Sequence, residues 1–305
     1  MTRVSTAANY QSALLDLMSA QTRAQEAQER VSTQKVATDL TGFGRSSEAL
    51  TALKSAQSRI QGFMDTGDAV AARLASQDLA FDRVAEGADG ARQAIADALA
   101  SGRIDGLILE LQGHFQIAKE GLNTKHQGQY LFGGGNVGEN PVQVDTLAEL
   151  AAAGSTEVFA NGELKQVSRL DEGTTVETGF LADEVGTALF DVFRQLQDFH
   201  AATPLTGQPD QATKDFLTAR LKDFDAQYEA ITNQAALNGS LQNRVESVLK
   251  AQEAQKTSLD ELVAGRTDAD LAQALTDLEL SQVAIQASAQ VINQLRQVSL
   301  LNFLN

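Results

Sequence analysis

The chain has 305 residues and a formal net charge of −16, from 40 acidic and 24 basic side chains, with three histidines and no cysteine. That balance argues against a nucleic-acid surface, which must neutralise phosphates, and against an anionic membrane; the missing cysteine rules out disulfides, thiolate metal sites and thiol catalysis. Apolar residues reach 43% but aromatics only 5%, with three prolines, so a core has to come from Ala, Leu and Val on long helices.

At the start, Tyr10, Leu14, Leu17, Gln21, Ala24, Gln28 and Val31 step by four and three. This is one stripe of a helix over residues 5–35, the seam of a left-handed coiled coil. Met1–Thr6 leads into it with no continuous apolar run, so any export is expected to proceed without a cleaved signal. A turn-rich break follows at 38–44. A second helix is predicted over 46–100, with Leu50, Leu53, Ile60, Met64, Ala71, Leu74, Phe81 and Val84 on its stripe, weakened locally by Gly62, Gly67, Gly87 and Gly90. A third spans 104–128 through Ile108, Leu111, Phe115, Ala118 and Leu122. Helical periodicity then stops until about residue 184. Asn161-Gly162 between apolar-containing runs predicts a hairpin with a type I′ turn, and 174–178 a further strand. This insert, 136–184, is expected to be dispensable for folding of the helices. Helix resumes over 185–200 and again over 211–263, with a seam through Leu217, Leu221, Phe224, Tyr228, Ile231, Leu241, Val245 and Val248.

The last helix opens with Thr267 and Asp270 spaced as a capping box. It carries two stripes. One is Leu271, Leu275, Leu278, Gln282, Ile285, Ala289 and Ile292; the other is Leu280, Ala284, Ala287, Val291, Leu295 and Val298. One partner helix cannot cover both. The fold class is therefore mainly α: a long antiparallel helical bundle with coiled-coil terminal helices and a small inserted β-rich domain.

Chemistry-bearing patterns are sparse. His114, His126 and His200 lack metal-ligand spacing; the first two lie about 120° apart on one predicted helix. Gly133–Gly138 formally contains GxGxxG, but a helix precedes it and Pro141 follows, so it reads as a flexible turn. No cofactor, metal or catalytic residue is assigned, and no enzyme activity is expected.

Four stretches, in this order, resemble the flagellin family. Ser32-Thr33-Gln34-Lys35-Val36 is similar to its Ser-Thr-Gly-Lys stretch, with Gln34 where Gly is common. Gln129-Tyr130-Leu131-Phe132-Gly133-Gly134 resembles the turn before its variable insert. Gly239-Ser240-Leu241-Gln242-Asn243-Arg244-Val245-Glu246-Ser247 looks like its Gln-Asn-Arg run, and Asp268-Ala269-Asp270-Leu271-Ala272 the start of its terminal helix. The ending Val298–Asn305, and Leu170-Asp171-Glu172-Gly173 before Thr174, resemble the branch that joins hook to filament.

The resemblance implies a structural subunit of the bacterial flagellum, extracellular and exported through the flagellar type III channel without a cleaved signal. It implies self-association in a ring or helical array, hook or hook-associated protein 1 on one side, flagellin on the other, and an export chaperone. It implies domains of 1–40 paired with 265–305 as assembly core, 41–135 with 185–264 as helical bundle, and 136–184 as outer domain. The expected interface residues are Leu14, Leu17, Val31, Leu278, Ile285, Ile292, Leu295, Val298, Leu300 and Phe303. Ile285 and Ile292 are expected to face the N-terminal helix of the same chain, and Leu295 and Val298 other subunits. A filament subunit is the alternative; a cytosolic coiled-coil adaptor would share the heptads but not these stretches.

Overall fold

The computed structural model describes the backbone of residues 2–304 and the side chains of residues 8–296. The α-helices are α1 (Thr2–Thr33), α2 (Ser47–Ser101), α3 (Leu107–Leu122), α4 (Leu147–Ala153), α5 (Ala182–Ala202), α6 (Gln211–Thr267) and α7 (Leu271–Leu304). Two antiparallel pairs, β1 (Lys125–His126) with β2 (Gln129–Tyr130) and β3 (Val167–Arg169) with β4 (Thr175–Glu177), lie between α3 and α5 in sequence. The chain is mainly α with a small insert that carries β structure. It divides into two compact units, Met1–Arg59 with Gln255–Asn305, and Ile60–Ala254. Both cuts fall inside helices, so α2 and α6 each contribute to both units.

In the unit Ile60–Ala254 the two long helices present regular seams. On α2 one buried row runs Gly67, Val70, Leu74, Gln77, Phe81, Val84, Ala88, Ala91, Ile95 and Ala98, in alternating steps of three and four, with Ala80, Gly87 and Ala94 buried beside it. On α6 a buried residue falls every seventh place: Leu217, Phe224, Ile231, Asn238, Val245 and Gln252. Both are heptad patterns. The polar members are each bonded through the amide nitrogen to a main-chain carbonyl. Asn238 Nδ2 donates to Leu74 O at 2.9 Å, Gln77 Nε2 to Thr178 O at 3.1 Å and Gln252 Nε2 to Leu170 O at 2.5 Å. Gln242, one turn beyond Asn238, donates to the same Leu74 carbonyl at 3.2 Å.

Of the glycines that weaken the helix prediction for α2, Gly67, Gly87 and Gly90 have a packing reason, whereas Gly62 faces open space. A Cβ at Gly87 would stand 2.7 Å from both the His114 carbonyl and the Ala118 methyl, and one at Gly121 would stand 2.9 Å from the Ala80 carbonyl. α2 and α3 meet backbone to backbone there, which only glycine permits.

The insert is folded into the helical core. Val142, Leu147, Leu150 and Val158 share one apolar cluster with Phe81, Phe115, Phe190 and Phe224. Leu170 and Val176, from the β3–β4 hairpin, share a second with Val70, Leu74 and Val245. Edge-on ring contacts run from Phe81 to Phe132 and Phe180, and from Phe193 to Phe115 and Phe224, at centroid distances of 5.0–5.7 Å. Phe159 of the insert stacks on Phe190 at 5.4 Å. Against the expectation of a dispensable insert stands this packing: its apolar side chains fill the same core as those of α2, α3, α5 and α6.

Three local details also differ from the sequence reading. The type I′ hairpin turn sits at Gln127-Gly128, whose φ values are 51° and 82°, not at Asn161-Gly162. Asn161 instead exchanges hydrogen bonds with Asp183 at the start of α5. Gly162 packs on the Gly133–Gly135 backbone: a Cβ at Gly134, whose φ is 56°, would overlap the Gly162 carbonyl. That run is a packed backbone crossing, not a flexible turn. Finally, α4 lies within the stretch read as β-prone. Thr146 caps it by accepting from the Glu149 N–H, while the Glu149 carboxylate accepts from the Asp145 N–H.

Two outcomes are expected. Asn238→Ala removes a buried amide from the α6 seam and leaves the Leu74 carbonyl with one partner fewer. It should cost about 1–3 kcal/mol in urea unfolding. Replacing 136–184 with a short Gly-Ser linker should abolish cooperative unfolding of the helices; an unchanged transition would show that the insert is separable.

Candidate assembly surface

The unit Met1–Arg59 with Gln255–Asn305 is organised by α1 against α7. They run antiparallel: Arg30 near the end of α1 pairs with Asp277 near the start of α7 at 3.3 Å, and contacts extend along both helices. The buried positions are small. On α1 they are Ala13, Ala20 and Ala27; on α7, Ala274 and Ser281. Leu17, Ala24 and Val31, and Leu278, Ile285, Ile292 and Leu295, are half-buried beside them. Small residues at one of the two seam positions let helix axes approach closely.

One end of this pair is clasped. Thr33 ends α1, and Gln34 turns the chain with φ 58°. The Ala269 N–H donates to the Gln34 carbonyl at 2.9 Å and the Val36 N–H to the Thr267 carbonyl at 2.8 Å, bridging Lys35 and Asp268. Lys35 Nζ meets the Asp268 carboxylate at 2.5 Å. The Lys35 ammonium, then the Thr267 hydroxyl, hold the Asp268 carboxyl below the usual carboxylate range. A depressed pKa contributes stability above the unfolded value of about 4, lost as pH falls through the lower folded value. The α7 N-cap is Asp270, which accepts from the Ala272 and Gln273 N–H groups at 2.9 and 3.1 Å. Thr267 does not cap: its hydroxyl donates to Asp268.

With the seam built from small side chains, larger apolar ones face outward. Leu15 is 63% exposed, and Leu14 and Met18 lie on the same side of α1. On α7, Leu280 is 64% exposed and is followed by Val283, Ala287 and Val291, all exposed. Leu280, Ala287 and Val291 belong to the second stripe read from the sequence; of its other members, Ala284 and Leu295 are half-buried, and Val283 lies beside it.

Of the expected interface residues, Leu17, Val31, Leu278, Ile285, Ile292 and Leu295 lie half-buried along the seam, and Leu14 is exposed. Val298, Leu300 and Phe303 lie outside the described side chains. Exposed Leu15, Met18 and Val283 escaped the sequence reading because they fall beside the heptad stripes.

Among the described residues no group of three or more His, Asp or Glu could hold a metal ion, and no helix is long and apolar enough to cross a membrane. Each histidine has a structural contact. The His114 ring fills the space over Gly90; His126 Nδ1 shares a 2.9 Å hydrogen bond with Ser76 Oγ; His200 Nδ1 accepts from the Leu205 N–H.

Gln34 holds a left-handed conformation that costs a residue with a Cβ about 1–2 kcal/mol. Gln34→Gly should therefore strengthen the clasp by about 0.5–1 kcal/mol, after glycine's extra unfolded-state entropy. Hydrogen exchange of α1 amides near Ala27 should slow by roughly two- to fivefold; faster exchange would contradict the assignment.

Known proteins share this layout. Residues 221–304 match the family model of the bacterial flagellin C-terminal helical region. A solved structure described as a flagellar hook-associated protein from Vibrio parahaemolyticus aligns with a TM-score of 0.62 and 17% identity, covering 75% of this chain and 99% of that one. FlgL of Bacillus cereus aligns with a TM-score of 0.54 and 16% identity, covering 70% and 97%. No curated protein sequence matches the chain. Residues 221–304 are thus similar to the C-terminal helical region of bacterial flagellins, and the chain shares its fold with these two flagellar structures.

Proposed function

We propose that this chain is a structural subunit of the bacterial flagellum that joins hook to filament. The observation that carries the reading is the terminal helix pair. It buries small side chains and leaves Leu14, Leu15 and Met18 on α1, and Leu280, Val283 and Val291 on α7, in solvent. A fully buried Leu or Val contributes about 1.5–3 kcal/mol relative to exposure. Side-by-side packing of many copies, each presenting the same stripe to a different patch of its neighbour, would collect that energy, and such head-to-tail contacts build rings and helical arrays. The fold shared with hook-associated proteins and the flagellin-type C-terminal region support the flagellar setting. In this reading residues 1–40 and 265–305 form the assembly core. The chain is exported to the cell exterior, meets hook-side components at one end and flagellin at the other, and is guided by an export chaperone. It has no catalytic role and uses no cofactor.

A filament subunit is the second reading, because the matched region is described for flagellins themselves. Immuno-electron microscopy of intact flagella separates the two: label confined to the hook–filament boundary supports the first, label along the filament the second.

Leu280→Asp tests the surface. The side chain is exposed before assembly, so the isolated variant should keep its helicity and unfolding midpoint. A charge buried at an interface without a partner costs several kcal/mol. Cells should therefore export the variant yet shed flagellin monomers into the medium. Normal filament number and motility would remove this face from the interface.

A further inference from the structure

The unit Ile60–Ala254 holds a cleft of about 280 Å³ between the β1–β2 hairpin and β3, floored by α2. Thr66, Arg73, His126, Gln129, Gln166 and Ser168 line it. Arg73 is the one whose charge is unexplained. Its Nη2 donates to the Leu131 carbonyl at 3.2 Å, and its Nε–H is buried with no acceptor. No carboxylate among the described residues pairs with it. Other partly buried arginines of the same unit are matched: Arg92 by Asp89 and Asp225, Arg194 by Asp191 and Asp198, and Arg220 by Asp223. Burial pulls the Arg73 guanidinium below its ordinary pKa, and no acid offsets that. The guanidinium nevertheless stays charged at any physiological pH.

A half-buried guanidinium with no carboxylate partner, on the wall of an open cleft, is a site short of an anion, which its terminal N–H groups rather than the enclosed Nε–H would meet. The other lining groups suit a flat, oxygen-bearing one. The amides of Gln129 and Gln166 and the hydroxyl of Ser168 are neutral donors. None of the lining side chains is acidic. Arginine forks recognise carboxylates through paired N–H donors. We propose that this cleft is a carboxylate-binding site centred on Arg73, occupied either by a free carboxylate or by an acidic side chain of a second copy of this chain. The second source is well supplied, since each copy carries 40 acidic residues. The site itself does not depend on the flagellar reading.

The test uses the full chain with nitrogen-15 in its arginines. The Arg73 Nε–H resonance is assigned by its loss in Arg73→Gln. Succinate is titrated against sodium chloride of equal ionic strength. A free-carboxylate site predicts a saturable shift of that resonance with a Kd of roughly 1–10 mM. The affinity should be at least about tenfold weaker in Arg73→Lys, read from the cleft-lining backbone amides, because the lysine keeps the charge but not the fork. A second-copy site predicts no succinate response. Instead the same resonance shifts with protein concentration, and self-association measured by sedimentation weakens in Arg73→Lys. The absence of both responses would overturn the proposal. Arg73→Lys is the deciding variant for affinity, so a folding defect in Arg73→Gln leaves the outcome readable.

Discussion

Two helices of 55 and 57 residues joined by apolar heptad seams have a degeneracy problem. A slip by seven residues presents the same pattern again, so apolar contact alone does not choose a register. In this chain the choice falls to amides placed in the seams. Asn238 and Gln242 of α6 both reach the Leu74 carbonyl of α2, and Gln77 and Gln252 reach carbonyls of the insert. Each bond is modest, about 0.5–1.5 kcal/mol net. The asymmetry matters more. A slipped register would bury these amides with no partner, at about 1–3 kcal/mol each. The side-chain oxygens of Gln77, Asn238 and Gln252 are already buried without a partner, so the native register carries part of that cost itself. Specificity here is obtained at some expense in stability.

The insert follows from the same constraint. Gln77 and Gln252 find their acceptors at Thr178 and Leu170, which flank β4 and the turn before it. Leu170 and Val176 then seal the apolar ground between α2 and α6. On the α3 and α5 side, Phe159 stacks on Phe190, and Asn123 exchanges two hydrogen bonds with the Val142 backbone, imitating a strand neighbour. A segment whose own strands are only two or three residues long could not stand alone. It holds its shape because helices of the same unit supply the other half of its core.

The long helices and their order are legible because period 3.5 is a strong signal over dozens of residues, whereas the seven-residue α4 is too short to show it. The stripes through Leu74, Phe81 and Val84 on α2 and through Leu217, Phe224, Ile231 and Val245 on α6 are buried as expected, and so, in part, are Leu17, Ala24 and Val31 on α1 and Leu278, Ile285 and Ile292 on α7; the other half of each terminal stripe lies one residue off. On α1 the stripe was placed through Leu14, Gln21 and Gln28, whereas Ala13, Ala20 and Ala27 are buried; on α7, Ala274 and Ser281 take the place of Leu275 and Gln282. A reading weighted toward bulk favours Leu over Ala, but close helix approach selects the small side chain. On α6 the strict sevenfold repeat was interrupted in the reading at Asn238 and Gln252, because both are polar and their acceptors lie far away in sequence. The hairpin was misplaced for a similar reason. Asn161-Gly162 has the residues of a type I′ turn, yet Gly162 serves a backbone crossing with Gly134, while Gln127 is held in the left-handed region by the paired strands on either side. The cleft around Arg73 was invisible, since no local pattern brings residues 66, 126 and 168 together.

The terminal pair inverts the usual allocation of side chains. In most helical pairs the largest apolar residues face inward and small or polar ones face water. Here alanine and serine fill the inner positions, and Leu15, Met18, Leu280 and Val283 remain outside. A methyl group contributes far less on burial than a leucine side chain, so the α1–α7 contact is thin. The clasp at Lys35 and Asp268 and the Arg30–Asp277 pair hold one end through charges that stay solvent-exposed, and such pairs contribute little individually. A pair held this lightly, with its best apolar surface unspent, gains more from burying that surface against further helices than it gained by forming. Polar termini on these helices would remove that incentive. On the proposed function, the outward leucines are the part of the sequence that serves neighbouring subunits rather than the fold of the single chain.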